Sequence, residues 1–111
     1  MKTYTPEEKS AAKNSLPAPV SQFIDSPDLA ETYADIEKKF RLNLRQTGAL
    51  IEVIEVTLMG LEPQFNFPNN ARGALQEVSN AELAEIIDHV NERVFSEAKR
   101  RLQESGTTRN A

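Results

Sequence analysis

His89 is the only histidine of the chain, with Glu85 four residues before it and Glu92 three after. On a helix these three side chains share one face, the minimum arrangement for a metal site. Projection at about 100° per residue turns His89 away from the apolar stripe of its segment, and metal sites draw ligands from several elements. The expectation is a solvated histidine, with no metal and no cofactor. Glu52 and Glu55 form the next pair, two carboxylates inside the apolar run ALIEVIEVTLMGL. Buried together they would have raised pKa values, as a general acid requires. They fall on the polar strip of a helical projection, however, and neither a nucleophile nor a phosphate-cradling glycine loop accompanies them. Solvation, or pairing with arginines, is the expected role, and no catalytic residue is assigned.

Two basic clusters complete the inventory. Lys99, Arg100 and Arg101 lie near the end of the last predicted helix, where the macrodipole favours cations. The same holds for Lys38, Lys39 and Arg41 at the end of an earlier one. Arg45 does not fit that rule, because it stands in the first turn of the following helix. Lys38, Lys39, Arg41 and Arg45 therefore concentrate positive charge beside a helix start, a candidate anion or nucleic-acid site.

Composition narrows the classes. The chain has 111 residues and a formal charge of −4, with an isoelectric point near 5.0. That balance opposes generic polyanion binding, although not a local basic patch. There is no cysteine, which excludes disulfides, thiolate metal sites and cysteine nucleophiles. The sequence MKTYTPEEKSAAKNS has no apolar signal core, so a cytoplasmic location is expected. The one long apolar run is short of the roughly 20 residues that a bilayer needs and contains two glutamates, which argues against a membrane span.

The elements that position these residues follow from periodicity and punctuation. Ala49 to Leu61 reads as a central helix whose broad apolar half carries Leu44, Leu50, Ile51, Val53, Ile54, Thr57 and Leu58, with Glu52 and Glu55 opposite. Gly60 is placed for a left-handed stop, Leu61 for packing back on Val56, and Pro63 bars continuation. Ser26, Pro27 and Asp28 start a helix with Leu29, Tyr33, Ile36 and Phe40 on one stripe. Thr5, Pro6 and Glu8 start a short one with almost no apolar face. Pro17 and Pro19 read as an extended connector. Of Phe65 and Phe67, at least one is expected to plug the core. A short helix is expected over Ala71 to Glu77. Ser79 and Glu82 are placed as a capping box for a last helix with Leu83, Ile86, Ile87, Val90, Val94, Ala98 and Leu102 inward and Phe95 at the edge. It is longer than the short helices can cover.

The segments KKFRL, MGL and IIDHVNERVF, with a phenylalanine before a short helix, resemble small uncharacterised helical proteins of candidate-phylum bacteria. The resemblance spans about Phe23 to Leu102, implies an all-α fold and brings no catalytic residue.

The expected organisation is an all-α, compact bundle of about four helices with a long C-terminal helix. It comprises a flexible segment at 1–22, a helical domain at 23–104 and a disordered tail at 105–111. The expected function is that of a non-enzymatic protein-interaction module, binding another protein or a second copy of itself through Val94, Phe95, Ala98 and Leu102. The alternative is a nucleic-acid-associated regulator using Lys38, Lys39, Arg41 and Arg45.

Overall fold

Local capping chemistry sets where the helices begin. The Thr5 hydroxyl accepts from the Glu8 amide while the Glu8 carboxylate accepts from the Thr5 amide, opening α1, Pro6–Asn14. The Ser26 hydroxyl accepts from the Leu29 amide and opens α3, Pro27–Lys39. Asn43 and Gln46 form a second reciprocal box, which opens α4, Leu44–Leu58. Each device satisfies amides that the helix itself leaves without a partner. The computed structural model describes the backbone of residues 1–110 and the side chains of residues 1–104.

Between α1 and α3 the chain forms a further helix, α2, Ala18–Ile24, where the two prolines predict an extended connector. Pro17 is the N-cap and Pro19 lies in the first turn, positions where the missing N–H costs nothing. Both Val20 and Phe23 are buried. After α4 come a 3-10 turn, Gln64–Asn66, and α5, Phe67–Ala74. The last helix, α6, is one continuous rod made of an α segment, Asn80–Val90, a π turn, Asn91–Phe95, and a second α segment, Ser96–Asn110. Among the described residues the fold is all-α, with no strand and with six helices rather than about four. The tail expected at 105–111 falls on residues whose side chains lie outside those described.

The core gathers Leu29 and Ile36 of α3, Leu50, Val53 and Ile54 of α4, Phe67 and Ala71 of α5, and Leu83, Ile86, Val90 and Val94 of α6. Phe67 meets Phe95 edge-on, with ring centroids 5.0 Å apart, joining α5 to the π turn. That turn places the consecutive residues Val94 and Phe95 both inside. The extra residue it inserts rotates the following stripe relative to an unbroken α-helix. Phe95, expected at the edge, is therefore a core residue.

The C-terminal segment of α6 has α2 packed against it. Arg101 holds this end by three contacts: 2.9 Å to Asp28 of α3, 2.9 Å to Glu97, and its guanidinium 4.7 Å from the centroid of the Phe23 ring. Part of the length that exceeds the short helices is thus covered by the chain itself. None of the described helices is long and apolar enough to cross a membrane.

Two helices end in the same backbone motif. At the end of α4, Gly60 takes φ +79°, and the Leu61 amide donates to the Val56 carbonyl at 3.0 Å, as its spacing predicts. At the end of α3, Arg41 takes φ +53° and the Leu42 amide donates to the Glu37 carbonyl at 3.0 Å. The second motif places a residue with a Cβ where glycine is favoured.

Candidate functional site

A groove runs between α2, α4 and the end of α6. Its volume is about 220 Å3, and its lining includes Val20, Leu58, Phe95, Ala98 and Leu102, with Lys99 at its polar side. Three of the four predicted interaction residues therefore converge here. Phe95 and Ala98 are buried and form the floor, whereas Leu102 is 42% exposed. Val94 is fully buried in the core and offers no accessible surface. Leu58 and Val20 complete the groove. The first was legible as part of the α4 stripe; the second was missed because its flanking prolines mark a connector.

Two further apolar side chains stand in solvent. Leu44 is 86% exposed and Phe65 is 81% exposed. Leu44 is the first residue of α4, so the face it shares with Leu58 in projection has no neighbouring helix at that level. Phe65 sits in the 3-10 turn while Phe67, two residues on, is buried. One of the two loop aromatics thus plugs the core, as expected.

At the other end of α4, a cavity of about 500 Å3 opens beside the turn from α3. Lys39, Arg41, Leu42, Gln46, Glu77 and Glu82 belong to its wall. The predicted basic cluster is divided here. Lys39 and Arg41 line the cavity, Lys38 is exposed on α3 outside its lining, and Arg45 is drawn to Glu77 at 2.6 Å. The Gln46 amide in the first turn of α4 is already taken by the Asn43 side chain, at 2.8 Å. Glu77 thus balances Arg45 and Glu82 adds a second acid to the wall, both hidden by their sequence distance from the cluster.

The carboxylate pair on α4 is partly buried, and neither member is bound to arginine. Glu52 accepts from the Lys9 ammonium at 2.7 Å, so α1 lies across this strip. Glu55 is half-buried and its carboxyl is pushed above the ordinary range, chiefly by loss of water and next by the charge of Glu52. Burial, with the Glu55 charge beside it, also raises the Tyr33 phenol, whose oxygen is enclosed without a hydrogen-bond partner of ordinary geometry. Tyr4 completes the tie: its hydroxyl donates to the Glu62 carboxylate and lies 3.0 Å from the Leu61 carbonyl, at the C-terminal end of α4. The Tyr4 phenol is pushed up to about 12, first by that bond to Glu62. Glu52 thus seats α1, and Tyr4 ties the N-terminal segment to the end of α4.

His89 corrects the expectation of a solvated side chain. It is half-buried, its ring meets Phe40 edge-on with centroids 6.2 Å apart, and its Nε2 is enclosed without a partner. Burial holds its pKa below the ordinary value, helped by the charges of Arg93 and Lys39. No group of three or more metal-ligating side chains converges among the described residues. Compared with known protein families, curated proteins and solved structures, the chain matches none of them.

Proposed function

We propose that this chain is a non-enzymatic interaction module that associates with a second copy of itself through the end of α6. The observation that carries the reading is the groove in which Leu102 stands half out of an apolar bed formed by Phe95, Ala98, Val20 and Leu58. One patch thus holds both a protruding side chain and the recess beside it. Such a patch is self-complementary, the requirement of a two-fold contact in which each copy inserts its leucine into the recess of the other. The exposed Phe65, next to the groove-lining Gln64, enlarges the apolar surface available to the pair.

The test is molar mass by light scattering across a concentration series, for the wild type and for Leu102→Glu. The expected result is a mass that rises from monomer to dimer in the wild type and remains monomeric in the variant. Leu102 is exposed enough for the charge to be tolerated in the folded monomer, so far-UV circular dichroism should not change. A wild-type mass that stays monomeric at the highest soluble concentration overturns the reading. A dimer that survives Leu102→Glu unchanged overturns the assignment to this groove.

A further inference from the structure

The cavity at the α3–α4 turn carries opposite charges that do not meet. Lys39 and Arg41 stand on its α3 side, Glu77 comes from the chain that leads into α6 and Glu82 from the first turn of that helix, and Leu42 and Val78 supply apolar lining. No ion pair within 4.0 Å joins the two acids to Lys39 or Arg41. Glu77 turns instead to Arg45. The Lys39 ammonium rests 5.5 Å from the centroid of the Phe40 ring. The Ser79 hydroxyl accepts from the Glu82 amide at 3.2 Å, but the Glu82 carboxylate does not return the bond that a reciprocal box would make. That carboxylate is left for other work. Arg41 is held in place by the motif that ends α3, so its guanidinium projects from a backbone fixed by two hydrogen bonds, in which the Leu42 amide donates to the Glu37 carbonyl and the Arg41 amide to the Lys38 carbonyl.

A cavity lined by two cations, two acids and apolar surface is complementary to a zwitterion whose charges are separated by an apolar spacer. Its volume of about 500 Å3 lies in the range of small-molecule sites. A peptide of about two or three residues separates its termini by about 6–10 Å, and a carboxylate pairs with a guanidinium through two parallel hydrogen bonds. We propose that this cavity binds short peptides by their free termini, the carboxylate on Arg41 and Lys39 and the ammonium on Glu82 and Glu77, with apolar side chains over Leu42 and Val78. The site is distinct from the α6 groove, so either can fail without the other.

Titration of the isotope-labelled full chain with leucyl-leucine, followed by amide chemical shifts, tests this. Saturable shifts are expected at Arg41, Leu42, Gln46, Val78 and Glu82. N-acetylation or C-amidation of the dipeptide should each weaken binding by about tenfold. Arg41→Gln should remove the preference for a free carboxylate while keeping that for a free amine. Glu82→Gln should do the reverse. Both side chains lie outside the core, and unchanged circular dichroism verifies that the variants fold. Absence of saturable shifts overturns the proposal, as do equal affinities for the free and doubly blocked peptides. Inorganic phosphate reproducing the shifts, with the dipeptide binding no more tightly, would make the cavity an anion site and overturn it as well.

Discussion

Replacing Arg41 with glycine should make the protein more stable, although it removes a charged side chain and enlarges no contact. Arg41 and Gly60 occupy the same position in two copies of one helix-ending motif, at φ +53° and +79°. A Cβ in that conformation costs roughly 1–2 kcal/mol. Glycine loses more backbone freedom on folding, by about 0.4–1 kcal/mol, which offsets part of the gain. Arg41 is exposed and no ion pair or hydrogen bond of its side chain opposes the change. The net effect of Arg41→Gly is a gain of about 0.5–1 kcal/mol, or a rise of about 2–4 °C in Tm for a chain of this length. Gly60→Ala is the mirror experiment. A Cβ built there meets nothing within 4 Å, so the cost is conformational alone, a loss of about 0.5–1 kcal/mol. Urea denaturation of both variants, read by circular dichroism with a common slope, measures the two shifts. Opposite signs of similar size are expected. Arg41→Gly leaving stability unchanged or lowering it, while Gly60→Ala destabilises, would refute the reasoning and require a stabilising contact of the Arg41 side chain.

Other consequences concern the buried polar groups and the loop aromatics. A carboxyl whose folded pKa is raised binds protons more readily when folded, so Glu55 contributes stability below the ordinary carboxylate range and loses it as pH rises through its folded pKa. Glu55→Gln should therefore stabilise at pH 7, with the gain shrinking towards pH 4; thermal melts at the two pH values decide this. His89 has the opposite sign. Its lowered folded pKa means that the unfolded chain binds the proton first, so stability falls as pH drops below 6.5 towards the folded value. Because it is the only histidine, its imidazole resonances report the folded pKa directly, and a value at or above 6.5 would contradict the burial against Phe40. Phe67→Ala should cost about 3–5 kcal/mol by opening a core cavity, whereas Phe65→Ala should change stability by less than about 0.5 kcal/mol; denaturant midpoints separate the two.

The positions of helix starts and stops were legible because the groups that make them are neighbours in the chain. Thr5 with Glu8, Ser26 with Leu29 and Ser79 with Glu82 need only a three-residue spacing to satisfy an open amide. Gly60 could be placed as a stop for the same local reason. Arg41 could not, since the side chain gives no sign that its backbone is left-handed and the hydrogen bonds that end α3 there, from Leu42 to Glu37 and from Arg41 to Lys38, are seen only in the fold. The stripes of α3, α4 and α6 identified Leu29, Ile36, Leu50, Ile54, Ile86 and Val90 as interior because apolar periodicity records which face leaves water.

Periodicity does not record which neighbour covers a face, or whether one reaches its end. Leu44 and Leu58 share one projected face, yet Leu44 overhangs into solvent while Leu58 packs against the core. His89 projects away from the apolar stripe and is still enclosed, because the end of α3 brings Phe40 against it. Phe65 and Phe67 have the same chemistry two positions apart, and the turn into α5 alone decides that the second is inside. The π turn of α6 shifts its stripe by an extra residue that no composition announces. The sequence by itself determined an all-helical chain, most helix boundaries and the residues fit for burial, since these depend on groups a few positions apart. The tertiary structure decided that α2 lies on α6, that α1 sits over Glu52 and that acids at 77 and 82 face Lys39 and Arg41. Those outcomes join residues as distant as Asp28 and Arg101, 73 positions apart, and such pairings are selected by the packing of whole helix faces.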